Sequence, residues 1–244
     1  MLYLIGIGLN DKKDISIKGL EAVKKCDFVY LECYTSKFNC SIKDLEKFYC
    51  KKIILADRNI VEKKAEQTIL KDSIDKNVAF LVIGDVFGAT THVDLMLRAK
   101  KNNIEFKIIN NASILNAISI LGLELYKFGK TTSIPFNNKN VETPFKIVKD
   151  NQKLGLHTLL LLDLKPKEDN YMNINTALIY LLNKGFDKNR LCIGCSAIGS
   201  ESPEVKVGKA SELINKKFSK YPQCLVVVGK LHFIEKEAIN SLWR

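Results

Sequence analysis

Arginine is nearly missing from this 244-residue chain: only Arg58, Arg98, Arg190 and Arg244 are present among 38 basic residues. Nucleic-acid readers lean on the planar, bidentate guanidinium. No stretch here clusters lysine with stacking aromatics, so direct nucleic-acid binding is disfavoured. The formal net charge of +11 reads instead as a lysine-rich surface that keeps the protein soluble. Histidine is scarce too, at three residues, and neither G-x-S-x-G nor H-E-x-x-H occurs. A serine hydrolase elbow and a zincin helix are thereby excluded. No apolar run approaches the ~18–20 residues that a membrane span needs. Met1 to Leu9 is apolar but short, lacks a basic flank and reads as a first strand rather than a signal peptide. The cysteine count is seven, an odd number. With no secretory signal, that favours reduced thiols in the cytoplasm. Cys192-Ile193-Gly194-Cys195 has C-x-x-C spacing but no second pair at zinc-finger distance, so no metal is expected.

What is present is ordinary for a globular protein: 46% apolar and 27% charged residues. The length fits one domain or two small ones. Strands are expected over Leu2–Gly8, Asp27–Leu31, Lys52–Leu55, Asn77–Ile83 and Ile104–Ile109. Helices are expected between them: one capped by Ser16, one over Ser41–Phe48, an amphipathic one over Val61–Ile74, and one with Val93, Met96, Leu97 and Lys100 at helical spacing. This alternation predicts a parallel, doubly wound sheet in a first α/β domain, residues 1–110. A helix begins near Asn111 or Ser113, with Ile114, Leu115, Ile118 and Leu121 on its apolar face. Pro135, the run Asn137 to Asn140 and Pro144 mark a loop. The second α/β domain, residues 111–244, is read more loosely as the same plan. Leu125–Lys130 and Thr131–Phe136 are read as a domain crossing; strands are expected over His157–Leu162, Arg190–Cys195, Val205–Val207 and Leu225–Val228, with helices over Ile174–Leu182 and Ile234–Leu242.

The most informative stretch is Gly84-Asp85-Val86-Phe87-Gly88-Ala89-Thr90-Thr91-His92. A buried strand ending in Gly-Asp and a glycine turn puts backbone N–H groups and one carboxylate at the carboxyl edge of a sheet. Open α/β sheets bind ligands at that edge. Thr90 or Thr91 is expected to cap the next helix. Gly6-Ile7-Gly8 lets a ligand approach the backbone closely, but Asp11 stands where a dinucleotide loop has its third glycine.

GDVFGATTH resembles the signature loop of the diphthine synthases, within the tetrapyrrole methylase superfamily of S-adenosylmethionine-dependent, class III methyltransferases. Leu2 to Ser36, Asn111 to Phe136, Leu156 to Lys165 and Val226 to Glu235 resemble further blocks of that family, in family order. One departure is Cys192 to Ile198, where the family more often has an Ala-Arg-containing segment. The resemblance implies a two-domain architecture with an inter-domain cleft, a homodimer, and S-adenosylmethionine as methyl donor with S-adenosylhomocysteine as product. It implies cofactor contacts at Leu9, Asp85, Gly88, Ser113, Ile114, Leu162, Ile198 and His232, and elongation factor 2 as the protein substrate. That substrate carries a 3-amino-3-carboxypropyl group on a histidine. Tyr34 and Thr35 are candidate substrate contacts; no catalytic residue is assigned. The signature loop and Tyr126-Lys127-Phe128-Gly129 look closer to the branch that adds four methyls, the last as an ester, than to the branch that stops at three.

Methyl transfer from a sulfonium asks mainly for positioning and exclusion of water, which suits a site poor in acid–base side chains. Three other readings stay open. One is another methylase of the superfamily, acting on a tetrapyrrole or RNA. Another is a non-enzymatic RNA- or ribosome-binding module. The third is a dehydrogenase, against which stand the absent third glycine and the lack of an acidic residue closing the second strand in the usual place, Glu32 being the nearest.

Overall fold

The computed structural model describes residues 1–243. The chain divides into two units, Met1–Leu115 and Asn116–Arg244. The break was expected at Asn110. The segment after it stays with the first unit because the Asn111 side chain donates to the carbonyls of Gly6 and Asp14, 3.0 and 2.9 Å away.

The first unit alternates strand and helix: β1 (Leu2–Gly6), α1 (Ile17–Lys25), β2 (Phe28–Glu32), α2 (Ile42–Tyr49), β3 (Ile54–Ala56), α3 (Arg58–Glu62), α4 (Ile69–Asp75), β4 (Val78–Val82), α5 (Val93–Lys101) and β5 (Phe106–Ile109). The sheet order is β3-β2-β4-β1-β5 and every pairing is parallel. β4 is apolar throughout because both its faces are covered. Its Leu81, with Ile5 and Leu31, packs under α1 and α2; its Phe80, with Leu4 and Tyr30, packs under α4 and α5. Each such side chain, fully buried, contributes about 1.5–3 kcal/mol. The chain therefore leaves β1 for one face and β4 for the other. These adjacent strands form the topological switch point at which such sheets bind ligands.

The expected Ser16 cap is present, accepting the Gly19 amide; Ser41, expected inside its helix, caps it instead and accepts the Asp44 amide. Three other local expectations differ. The helix expected over Val61–Ile74 is interrupted by a 3₁₀ turn at Ala65–Gln67. The Thr68 hydroxyl bonds back to the Lys64 carbonyl and leaves the helical region. Val61, Ala65 and Ile69 keep helical spacing across the interruption and remain buried. In α5 the buried residues are Leu95 and Ala99, while Val93 and Leu97 are 43% and 57% exposed. Neither threonine caps α5. His92 stands at the N-cap without a side-chain bond, and the Thr90 hydroxyl donates to the Val86 carbonyl.

From the end of the first unit the chain forms α6 (Ile114–Ala117), then β6 (Thr132–Ile134), α7 (Thr143–Lys153), β7 (Thr158–Leu162), β8 (Leu164–Lys165), β9 (Asn170–Tyr171), α8 (Ile174–Asn183), β10 (Leu191–Ser196), β11 (Glu204–Lys209), α9 (Ala210–Leu213), β12 (Gln223–Val227) and α10 (Phe233–Trp243). The second sheet, β11-β10-β12-β7-β6, is antiparallel except for β6 and β7. It does not repeat the first unit's plan. α7 replaces the loop expected at Pro144, because proline in a first helical turn gives up an N–H that has no partner anyway.

Candidate functional site

Three loops leave the carboxyl edge of the first sheet, after β1, β4 and β5, and they are tied to one another. Gly8 and Gly84 exchange backbone hydrogen bonds, N to O at 3.2 Å and 2.7 Å. Both have left-handed φ, +81° and +85°. A methyl on Gly8 would stand 2.3 Å from the Asp14 Cβ, so this loop can close only on glycine. Asp14 in turn accepts the amides of Asn10 and Asp11 at 2.6 and 3.1 Å.

Asp85 organises the second loop. Its Oδ1 accepts the Phe87 amide at 3.0 Å. Its Oδ2 accepts the Asn111 amide at 3.0 Å and the Asn110 side chain at 3.1 Å. Burial alone would push the carboxyl's pKa up; these hydrogen bonds outweigh it and hold the group below its ordinary value. A carboxylate has about four acceptor positions, so the half-buried Asp85 keeps capacity for a ligand donor. Gly88 lies against Ser113: a methyl on it would meet the Ser113 Cβ at 2.6 Å. The Ser113 hydroxyl accepts the Leu115 amide at 3.0 Å and so caps α6, with Ile114 the first residue of that helix.

At Gly84 the fit is looser than at Gly8 and Gly88. A methyl there would stand 3.6 Å from the Leu9 side chain, 3.7 Å from the Ala112 carbonyl and 4.0 Å from the Ser113 Cα. The positive φ, rather than lack of room, keeps this place for glycine beside Leu9, Ala112 and Ser113. Five of the residues named from the sequence (Leu9, Asp85, Gly88, Ser113 and Ile114) thus stand at one edge. Asn111, which links all three loops, was not among them. Its only sequence signal is a polar pair closing an apolar strand.

Tyr34 and Thr35 follow β2, the strand beside β4. They wrap the Glu32 carboxylate, which accepts the Thr35 amide at 2.7 Å as well as the Tyr34 amide and the Thr35 hydroxyl. Glu32 is fully buried and turned onto its own loop, which removes the acidic residue a dehydrogenase would offer to a ribose.

In the second unit, Leu162 and Ile198 are both buried and follow the same end of the sheet. β7 and β10 both run antiparallel to β12, with Leu161 opposite Cys224 and Ser196 opposite Gln223. The exposed His232 follows the other end, where Val227 pairs with Thr158. Register therefore does not bring it beside Leu162 and Ile198. Below it lies a buried knot. Glu235 accepts the His232 amide at 2.7 Å, the Glu124 amide at 3.0 Å, His157 Nε2 at 3.0 Å and the Lys127 ammonium. The Gly229 amide donates to His157 Nδ1 at 2.9 Å, which places the imidazole proton on Nε2.

The C-x-x-C thiols are interior, and none of the seven cysteines is in a disulfide. Burial pushes Cys192 up to about 12, which makes it unreactive. Among the described residues no group of three His, Cys, Asp or Glu is arranged to hold a metal, and no helix is long and apolar enough to cross a membrane.

The family described as Tetrapyrrole (Corrin/Porphyrin) Methylases matches residues 1–214. A diphthine methyl ester synthase of Dictyostelium discoideum is 43% identical, covering 99% of this chain and 97% of its own. A diphthine synthase of Methanocella arvoryzae is 42% identical, covering 99% and 98%. A solved diphthine synthase superposes with a TM-score of 0.94 at 36% identity, over 99% of this chain and 95% of that one. With the glycine-clasped carboxyl edge, these likenesses place the chain in the tetrapyrrole (corrin/porphyrin) methylase family, as an S-adenosylmethionine-dependent methyltransferase related to the diphthine synthases.

Proposed function

We propose that this enzyme methylates the 3-amino-3-carboxypropyl group on a histidine of elongation factor 2, three times on nitrogen and once on the carboxylate, in the cytoplasm and as a homodimer. The observation that carries the reading is the Gly8–Gly84 backbone clasp beside the Asp85 carboxylate, at the switch point of a chain more than 40% identical to diphthine methyl ester synthases. The residues present suit an adenosyl cofactor. Glycine backbone allows close approach, Asp85 has acceptor capacity for a hydroxyl or amine, and Ser113 offers a hydroxyl. When bound, S-adenosylmethionine supplies an activated methyl group. Leu9, Asp85, Gly88, Ser113 and Ile114 then hold it. What the protein adds is alignment and dryness rather than acid–base power at sulfur.

The test is intact-peptide mass spectrometry. Elongation factor 2 bearing the aminocarboxypropyl histidine is incubated with the protein and S-adenosylmethionine. The expected gain is four methyl units, one lost on mild alkaline hydrolysis. Three alkali-stable units would remove the ester step; the Methanocella diphthine synthase is as similar to this chain as the methyl ester synthases are. No gain, with the cofactor bound, would transfer the substrate assignment to a tetrapyrrole or RNA.

A further inference from the structure

We propose that Thr35, backed by Glu32 and His92, takes the proton that the substrate amine must shed between methyl transfers; this rests on the substrate reading above. Glu32 ends β2 with no exposure, yet it is an acid in the interior of a sheet edge. Its Oε2 accepts the Thr35 hydroxyl and stands 3.9 Å from His92 Nε2. His92 is 1% exposed, and neither of its ring nitrogens has a hydrogen-bond partner. Its ring meets Phe80 and Tyr34 edge-on, with centroids 5.2 and 6.2 Å away. The Tyr34 hydroxyl is likewise buried without a partner. The other ionisable groups facing the cluster are the Arg58 guanidinium, 5.3 Å from the Tyr34 ring centre, with Glu62 and Cys33 acting on Tyr34.

A carboxylate that served only to tie its loop would not need an unpartnered imidazole beside it, and burying those two nitrogens unbonded costs stability. The half-buried Thr35 is the member of the group that reaches toward solvent. Because β2 neighbours β4, it does so beside the loop that carries Asp85. The three groups form a line from the hydroxyl of a half-buried threonine, through a carboxylate, to an interior base.

The chemistry requires such a line on nitrogen and not on oxygen. A methyl arriving at a neutral amine consumes its lone pair and leaves an ammonium. Before the next transfer an N–H bond must break. The proton goes to Thr35 Oγ1 as the hydroxyl's own proton moves to Glu32 Oε2, and the electron pair stays on nitrogen. His92 Nε2 receives the proton from Oε2 when the 3.9 Å gap shortens, as hydrogen bonds of unliganded sites do on binding. The proton returns to water by the same route between turnovers. The carboxylate attacks as an anion and breaks no O–H bond, so its methylation bypasses the relay.

Thr35→Val removes the hydroxyl while keeping the shape; Thr35→Ser restores it. At pH 7 the valine variant is expected to lose about 100-fold or more in N-methylation, with mono- and dimethylated products accumulating. Most of the rate should return near pH 9.5, where alkyl amines begin to lose protons unaided. Ester formation on substrate already trimethylated should change by less than about threefold. S-adenosylmethionine affinity should not move; the unfolding midpoint should fall, because the buried Glu32 loses a donor, and serine should recover both the midpoint and the N-methylation. Equal loss in both steps, or no loss in N-methylation, overturns the relay. A wild-type enzyme inert on this substrate refutes the underlying reading instead. A wild type that stops at three methyls leaves the pH recovery to decide.

Discussion

Replacing Glu235 by glutamine is expected to cost about 3–5 kcal/mol, the usual penalty for breaking a buried ion pair from one side. Glu235 is fully buried and holds four donors: Lys127, the amides of Glu124 and His232, and His157. Burial by itself would raise its pKa; the four hydrogen bonds reverse that and bring it down to about 2 from an ordinary 4.5. The carboxyl is therefore depressed in the folded state. Its contribution is full above pH 4.5 and is lost as pH falls toward about 2. His157 acts in the same direction. Burial holds its pKa below 6.5, against the pull of Glu235, and the Gly229 amide aimed at Nδ1 opposes a second ring proton. Acid must charge it at the expense of the fold. The single tryptophan, Trp243, ends the helix that begins beside Glu235, so its fluorescence reports this unit in the full chain. Denaturant midpoints read on Trp243 should fall steeply in the wild type between pH 4.5 and 2 and less steeply in Glu235→Gln, which keeps the His157 part but loses the Glu235 part. A variant within a few tenths of a kcal/mol of wild type at pH 7, where surface changes usually fall, would show the knot to be dispensable.

How far these features were legible in the sequence follows from the range of the interactions involved. β4 was readable as a buried strand because both its faces are covered, so it is apolar without alternation. The phase of α5 was not. Ala99 faces inward while Leu97 faces out, and a small interior residue leaves little hydropathic trace. Pro144 read as a loop because a proline that opens a helix and one that prevents it look alike. The antiparallel second sheet was out of reach, since strand pairing is set by partners such as Cys195 and Cys224 far apart in the chain. The site shows the same division. Gly84 and Asp85 announce themselves locally, as a glycine turn after a strand. Glu32 read only as an acid closing β2, because its loop-ward turn and its approach to His92 depend on a neighbouring strand. Asn111 reaches back 105 residues to Gly6, and no local pattern encodes that contact.

Asp85→Asn is expected to lower stability by about 2–3 kcal/mol, the scale of a hydrogen bond to a charged group, and S-adenosylmethionine affinity by about tenfold or more, the equivalent of roughly 1.4 kcal/mol. The amide has one acceptor where the carboxylate has two. Placed toward Asn111, its NH₂ faces the Asn111 amide and the Asn110 side chain; flipped, it faces the Phe87 amide. Either way a backbone donor loses its partner. Because the folded carboxyl titrates below 3.8, this contribution is present above that pH and fades on acidification below it, and the variant should lose that part of the wild type's pH dependence. Thermal unfolding of the cofactor-free protein checks the first effect, and calorimetric titration with S-adenosylmethionine the second. Asn111→Ala separates holding the loop from touching the ligand. It removes the donors to Gly6 and Asp14 but leaves the backbone amide on Asp85. Its stability should fall by a similar amount, with a smaller loss of affinity. Equal affinity losses in the two variants would make Asp85 a support of the loop alone, whereas a larger loss in Asp85→Asn would mark the carboxylate as a ligand contact.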